Sequence, residues 1–288
     1  MTMAGRVIVL GSVNADLVVN TDVLPVAGQT VFGSSFTRAQ GGKGANQAVA
    51  AARAGAEAVL CGAVGTDAFG DAAVSALVDD GVDVSRVARV DEPTGVAVIM
   101  VDGSGENSIV VVAGANSRAS GAGMVWRPGD VASAVLEVPV LAVEEFFAEA
   151  RAGGATTFLN AAPATAGAER LLGLCDVVCV NEVELAALSG SVDGWVGGAA
   201  LVATLGAGGV RVVDDQGAMT LAAHEVSVVD TVGAGDATCG VLVAGVAANL
   251  SLRDAAVRAN AAGAMTVRAA GARTSPMSGE LDDFLRSR

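Results

Sequence analysis

Short Val-rich runs alternate along this chain with longer Ala-rich stretches: RVIVLG precedes GANQAVAAARAG, AVLCGAVG precedes DAAVSALVDDG, and SAVLEV precedes VEEFFAEARAGG. TTFLN, DVVCVN, ALVATLG and GVRVVDD continue the apolar series toward the C-terminus. A run of branched side chains without polar alternation predicts a strand covered on both faces, and the Ala-rich stretches supply the covering helices. The predicted class is α/β, a mostly parallel sheet covered by helices.

Two regions break that alternation. LVVNTDVLPVAGQTVFGSSFTRAQ and TGVAVIMVDGSGENSIVVVAGAN read as strands joined by turns, and in the second VAVIMV and SIVVVA flank the turn-rich DGSGEN, a hairpin signal. These segments, roughly 14–40 and 94–116, are expected to form a small antiparallel lid over one end of the sheet, the alternative being an antiparallel extension of the sheet itself. Further on, apolar alternation in LAAHEVSVVD predicts a strand carrying His224. SVVDTVGAGDATCGVLVAGVAANL then reads as a strand, a Gly-rich turn and an apolar helix beginning near Asp236. With no fixed-period repeat and no linker, residues 1–288 are expected to form one domain.

Composition narrows the function. With 31 acidic against 17 basic residues the net charge is −14, which offers no footprint for nucleic acid, whose backbone is held chiefly by Lys and Arg. The apolar run in MTMAGRVIVLGSVNAD meets Asn14 and Asp16 within a few residues, too short for a secretory or membrane segment, so the cytoplasm is the expected location. Cys61, Cys175, Cys179 and Cys239 lie in apolar contexts without a CxxC pair and are expected as reduced, buried thiols. The chain holds one His, one Lys and no Tyr, so acid–base chemistry must rest on carboxylates, Lys43 or His224. For His224 a surface or edge position is expected.

Two Gly-rich motifs carry candidate chemistry. In Asp230-Thr-Val-Gly-Ala-Gly-Asp236, Gly233 and Gly235 permit a tight turn, and the amides of Gly233, Ala234, Gly235 and Asp236 at a helix start favour a bound anion. A carboxylate at that point, Asp236, suits a base that takes the proton of an attacking hydroxyl; a Gly turn with Asp as an ordinary first-turn residue is the other reading. Gly41-Gly42-Lys43-Gly44-Ala45-Asn46-Gln47 opens a helix with the chain's only lysine, and its glycines let a hydroxyl-rich ligand approach the backbone. Neither GxxxxGK[ST] nor GxGxxG occurs. Asn14 and Asp16 after VIVLGS, and Asn181 with Glu184 after DVVCV, stand at strand ends, where open α/β sheets place ligands. The second pair suits either Mg²⁺ held through water or helix capping.

Taken in order, GSVNAD (11–16), GGKGANQAVAAARAG (41–55), PTGVAV (93–98), GENSIVVVAGAN (105–116), LNAAPA (159–164), VNEVE (180–184), ATLGAGG (203–209) and DTVGAGD (230–236) closely resemble the ribokinase-like carbohydrate kinase family over almost the full chain. The resemblance implies a Rossmann-like sheet with a β-lid that also makes a homodimer contact. It implies ATP-dependent phosphorylation of D-ribose at the 5-hydroxyl, with Asp236 as general base and the Gly233–Asp236 amides as anion hole. Asn14, Asp16, Gly42, Lys43, Asn46 and Glu137 would hold the pentose. Asn181, Thr204, Gly206, Gly209, Gly235 and Asn260 would lie by the nucleotide, and Glu184 by Mg²⁺ and phosphate. A monovalent cation, K⁺, would sit among Asp230, Val232, Thr266, Ala269, Gly271 and Ser275. The chain departs from the pattern between Glu184 and Thr204, where LAALSGSVDGWVGGAALVA is too short for the family's second helix, leaving Trp195 or a partner to cover the sheet; NAAP also replaces NPAP. Rival readings are a kinase for deoxyribose, fructose or a nucleoside, a sugar- or nucleotide-binding protein without turnover, and an NAD-dependent dehydrogenase, the last opposed by the missing dinucleotide fingerprint.

Overall fold

The computed structural model describes residues 5–188, 195 and 198–287. β1 (Val7–Leu10), β2 (Asn14–Thr21) and β3 (Gly33–Gly41) open the chain, and α1 (Lys43–Arg53) begins as β3 ends. β4 (Ala58–Gly65), α2 (Ala68–Asp79) and β5 (Asp83–Val90) form a βαβ unit, followed by the hairpin β6 (Gly95–Val101) and β7 (Asn107–Val112). β8 (Val131–Val135), α3 (Val140–Ala152), β9 (Thr156–Asn160), β10 (Val177–Asn181), α4 (Glu182–Leu188) and β11 (Ala200–Thr204) extend the alternation. β12 (Val210–Asp214) and β13 (Gly217–Leu221) precede three helices, α5 (Ala234–Ala247), α6 (Leu252–Thr266) and α7 (Ser278–Arg286).

Nine strands form the main sheet in the order β13-β12-β11-β10-β9-β8-β1-β4-β5, parallel from β11 to β5, with β12 and β13 antiparallel at one edge. In β1, Val7 and Val9 join an apolar layer with Val49 of α1 and Leu242 of α5, while Ile8 and Leu10 join the opposite layer with Phe146 and Phe147 of α3. Both faces are covered, which is the physical reason these strands carry no polar alternation. Chain order reverses between β1 and β8, so the loops after those strands, carrying Ser12 and Glu137 and leading into β2 at Asn14, open at the switch point where such sheets bind ligands. Among the described residues no helix is long and apolar enough to cross a membrane.

The lid is a separate four-stranded sheet in the order β3-β2-β6-β7. Its outer pairings are antiparallel, and the central β2–β6 pair is parallel because a βαβ unit of the main sheet intervenes between them. The strand expected around His224 is not formed. β13 stops at Leu221, and the described residues 222–230 are anchored on α6 instead: Asn260 Nδ2 donates to the Ala222 carbonyl at 2.8 Å, and the Val229 N–H donates to the Val267 carbonyl at 2.8 Å. The segment after β13 takes its hydrogen bonds from α6 and its C-terminal turn and adds no strand beside β13. His224 meets Phe284 edge-on, ring centroids 5.1 Å apart. Residues 189–194 and 196–197, where the missing helix of the shortened segment was sought, lie outside the described residues. Trp195 donates from Nε1 to the Ala199 carbonyl at 2.8 Å and packs on the same apolar layer as Leu188 and Leu205.

Candidate active site

The site starts from a backbone contact that only glycine permits. A Cβ on Gly44 would lie 2.5 Å from Gly11 Cα, so the exit of β1 and the first turn of α1 touch directly. Gly42, at φ 89°, turns the chain from β3 into α1 beneath the Ser12 carbonyl. Glu137, just past β8, closes this corner: its Oε2 accepts from the Lys43 N–H at 3.0 Å and from the Ser12 hydroxyl. Asn14, 3% exposed, accepts at Oδ1 from Asn116 Nδ2 at 2.7 Å, and Asn116 Oδ1 in turn accepts from the Val13 N–H at 2.8 Å. Asp16 follows on β2, its carboxyl pushed up to about 6 by burial and then by the charge of Glu137. Asn14, Asn116, Glu137 and Val111 of the lid line one cavity of about 400 Å³ between the lid and the main sheet.

Asp236 sits on the first turn of α5, 7% exposed. The turn before it needs Gly233 at φ 78°, because a Cβ there would meet the Ala272 carbonyl at 2.2 Å. No side chain caps α5 among the described residues, and the first-turn N–H groups of Gly235 and Asp236 have no intrahelical acceptor. Two amides hold the carboxylate: Asn46 Nδ2 donates to Oδ2 and Gln47 Nε2 to Oδ1, each at 3.1 Å. Lys43 completes the group; the charge of Asp236, ahead of Glu137 and Glu184, raises its pKa against the effect of burial. Lys43, Asn181, Glu184, Thr204, Gly235 and Asp236 line a second cavity.

On that side Asn181 and Glu184 cap α4 reciprocally. The Asn181 N–H donates to Glu184 Oε2 at 2.8 Å and the Glu184 N–H donates to Asn181 Oδ1 at 2.9 Å. Capping and a place in the cavity therefore coexist, and burial raises the Glu184 carboxyl above the usual range. Gly206 (φ 53°) and Gly209 (φ 88°) form the turn after β11, and Asn260 ties α6 to the segment after β13. Behind the Gly233 turn, Asp230 accepts from the N–H groups of Val232 at 3.0 Å and Gly271 at 2.9 Å. Thr266 Oγ1 and Ser275 Oγ are buried there without a hydrogen-bond partner among the described residues, and the Ala269 N–H donates to the Thr266 carbonyl at 3.3 Å.

A family model described as pfkB family carbohydrate kinase matches residues 4–278. The chain belongs to the pfkB carbohydrate kinases. A curated ribokinase from Haemophilus influenzae is 36% identical, over 96% of this chain and 97% of its own length. The Arabidopsis thaliana ribokinase solved in complex with ribose and ATP superposes with a TM-score of 0.88 at 27% identity, covering 99% of both chains. The Cryptococcus neoformans ribokinase in complex with ADP gives 0.84 at 29% identity, over 98% of this chain and 99% of that one.

Within this pfkB kinase, Asn14 and Glu137 line the cavity under the lid, with Asp16 on β2 and Gly42 at the turn into α1; Lys43, Asn181, Glu184, Thr204 and Gly235 line the cavity of Asp236, to which Asn46 is bonded; Asp230, Val232, Thr266, Ala269, Gly271 and Ser275 lie behind the Gly233 turn; and Gly206, Gly209 and Asn260 are outside the lining of both cavities. Gln47, Asn116 and Arg273 were not singled out from sequence. Gln47 and Asn116 close the motifs GGKGANQ and GENSIVVVAGAN, a signal present but unused, whereas Arg273 reaches Asn46 from 227 positions away. All four cysteines are free and buried. Cys239 donates to Cys179 across 3.4 Å, and that contact, followed by burial, lifts the Cys239 thiol well above its usual value.

Proposed function

We propose that this kinase transfers the γ-phosphoryl group of ATP to the 5-hydroxyl of D-ribose, with Asp236 as general base. One observation carries the assignment: a buried carboxylate, held by two amide donors of α1, stands on an uncapped helix start and lines the cavity of Lys43, Glu184 and Thr204. In this reading Asn14, Asp16 and Glu137 fix the sugar hydroxyls, and paired polar groups of this kind reject an analogue lacking one of them. Lys43, which stays charged in the field of Asp236, and the amides of Gly235 and Asp236 offset the charge of the transferring group. The lid covers the sugar and excludes water as a competing acceptor.

The residues present fit both expected cations. A single buried carboxylate, Glu184, beside Asp236 is the donor set suited to Mg²⁺, which keeps several waters and supplies charge neutralisation at the phosphates. The buried, unpartnered hydroxyls of Thr266 and Ser275, with the backbone of the loop holding Gly271, suit K⁺ beside the anion hole. ATP of the cytoplasm is the phosphoryl source in this reading, and two copies pair through the lid.

The test is ADP release from ATP and Mg²⁺ in potassium buffer, with and without D-ribose, for wild type and Asp236→Asn. Ribose-dependent release that falls about 10²–10⁴-fold in the variant supports both substrate and base. Equal turnover by the two proteins removes Asp236 from the base role. Release stimulated by deoxyribose, fructose or a nucleoside, and not by ribose, reassigns the acceptor.

A further inference from the structure

Arg273 is a charged residue that the reaction as described leaves unused. Its side chain is only 10% exposed, and Nη1 and Nη2 are buried without a hydrogen-bond partner among the described residues. The Asp80 carboxylate lies 3.9 Å from Nη1 and is already engaged by Arg53 at 2.7 Å. Arg53 also fixes the backbone on which Arg273 rides, donating to the carbonyls of Arg273 at 2.7 Å and Ser275 at 3.2 Å. Keeping a guanidinium buried with so little compensation is unfavourable for stability, and hydrophobic replacement of such groups is often neutral or better. The hydrogen bond it does make runs from Nε to Asn46 Oδ1 at 3.2 Å.

That contact decides how Asn46 meets Asp236. An Asn side-chain amide is nearly symmetric in shape, so its neighbours determine which end donates. A guanidinium can only donate; it claims Oδ1 and leaves Nδ2 to face Asp236 Oδ2 at 3.1 Å. Without Arg273, Asn46 can turn Oδ1 toward the carboxylate, which removes one of its two donors and sets acceptor against acceptor. Held by Arg273, Asn46 keeps Nδ2 on Asp236 Oδ2 and fixes the orientation in which the carboxylate meets the attacking hydroxyl. The geometry points to Arg273 as a positioning residue for phosphoryl transfer, one that acts on Asp236 through the orientation of Asn46. This rests on Asp236 being the base.

Substitution isolates that hydrogen bond, because Gln places Nε2 at the same bond distance from the backbone as Arg Nε, whereas Met places a methyl there. Arg273→Met is expected to lower kcat about tenfold or more, and Arg273→Gln to recover most of that loss. In an Asn46→Ala background Arg273→Met is expected to add nothing further, since the effect passes through Asn46. Equal kcat loss in the Gln and Met variants, or a loss that adds to that of Asn46→Ala, overturns the proposal. Should the Met variant not fold, Arg273→Lys, which keeps the charge but has a methylene at the Nε position, takes its place: a kcat loss like that expected of Met supports the role, and turnover like wild type overturns it. Ribose-dependent turnover and its loss in Asp236→Asn judge the base assignment independently of these ratios.

Discussion

If Asp16 binds the sugar as proposed, ribose binding gains its own response to pH. Only the carboxylate accepts hydrogen bonds from sugar hydroxyls at both oxygens, and burial with the charge of Glu137 lifts this group to about 6. The ribose KM is therefore expected to rise as pH falls through about 6, with kcat at saturating ribose changing less. Initial rates at limiting and saturating ribose between about pH 5 and 8 check this, and a flat KM over that window would place Asp16 outside the binding site. The same shift acts on stability with a definite sign. A folded-state value above the ordinary 3.8 means the folded protein binds the proton more tightly, so a contribution present below about pH 4 is lost as pH rises through about 6. Asp16→Asn should accordingly melt higher at neutral pH, by on the order of 2 kcal/mol or less, with the gain absent near pH 4. Its ribose KM should rise about tenfold to a hundredfold.

At the scale of elements, the junction of β1 and α1 sets the site. Gly11 and Gly44 are mutually exclusive with any side chain: a Cβ on either would come within 2.5 Å of backbone atoms of the other. Gly44→Ala is expected to push α1 off β1 and to destabilise by about 1–3 kcal/mol, the range for overpacking. Lys43, Asn46 and Gln47 ride on that helix, so kcat should fall with stability. Gly173→Ala, where a Cβ meets nothing within 4 Å and the backbone needs no positive φ, serves as the control whose melting temperature and activity stay unchanged. Elements such as β1 and β10 were legible in the sequence because burial on both faces leaves an unbroken apolar run. The segment around His224 was misread because alternation reports two unlike faces, not a pairing partner, and this segment lies on α6 and its C-terminal turn. For the proposed site, motif order pointed to Asn14, Lys43, Asn46, Glu137 and Asp236, of which Asn46 bonds Asp236 and Glu137 bonds the Lys43 N–H. The Arg273 contact depends on where a C-terminal loop packs, which no local spacing encodes.

For the whole molecule, the open question of design is the lid, whose two faces differ. Cross-strand register puts Asp16, Ala97 and Val111 on one face, and Val111 lines the cavity between the lid and the main sheet, so this face looks inward. The same register puts Leu17, Val98 and Val110 together on the opposite face, joined two residues along by Val19, Met100 and Phe36. Phe36 and Val110 are 59% and 56% exposed. A contiguous apolar sheet surface of this kind on a single chain marks an interaction face, and the reading of the lid as a dimer contact supplies its occupant, the lid of a second copy. Val110→Glu leaves the isolated fold untouched, because more than half of the side chain is already in solvent, yet places an unpaired charge in the dimer contact, on the order of several kcal/mol against association. Sedimentation equilibrium is expected to give a dimer for the wild type and a monomer for the variant. Its ribose KM should rise, since a lid unsupported on its outer face orders less readily over the cleft, while Asp236 and its amide donors on the main body keep kcat closer to wild type. A monomeric wild type, or a dimer that survives the Val110→Glu and Val98→Glu pair, would show that the apolar face serves something other than self-association.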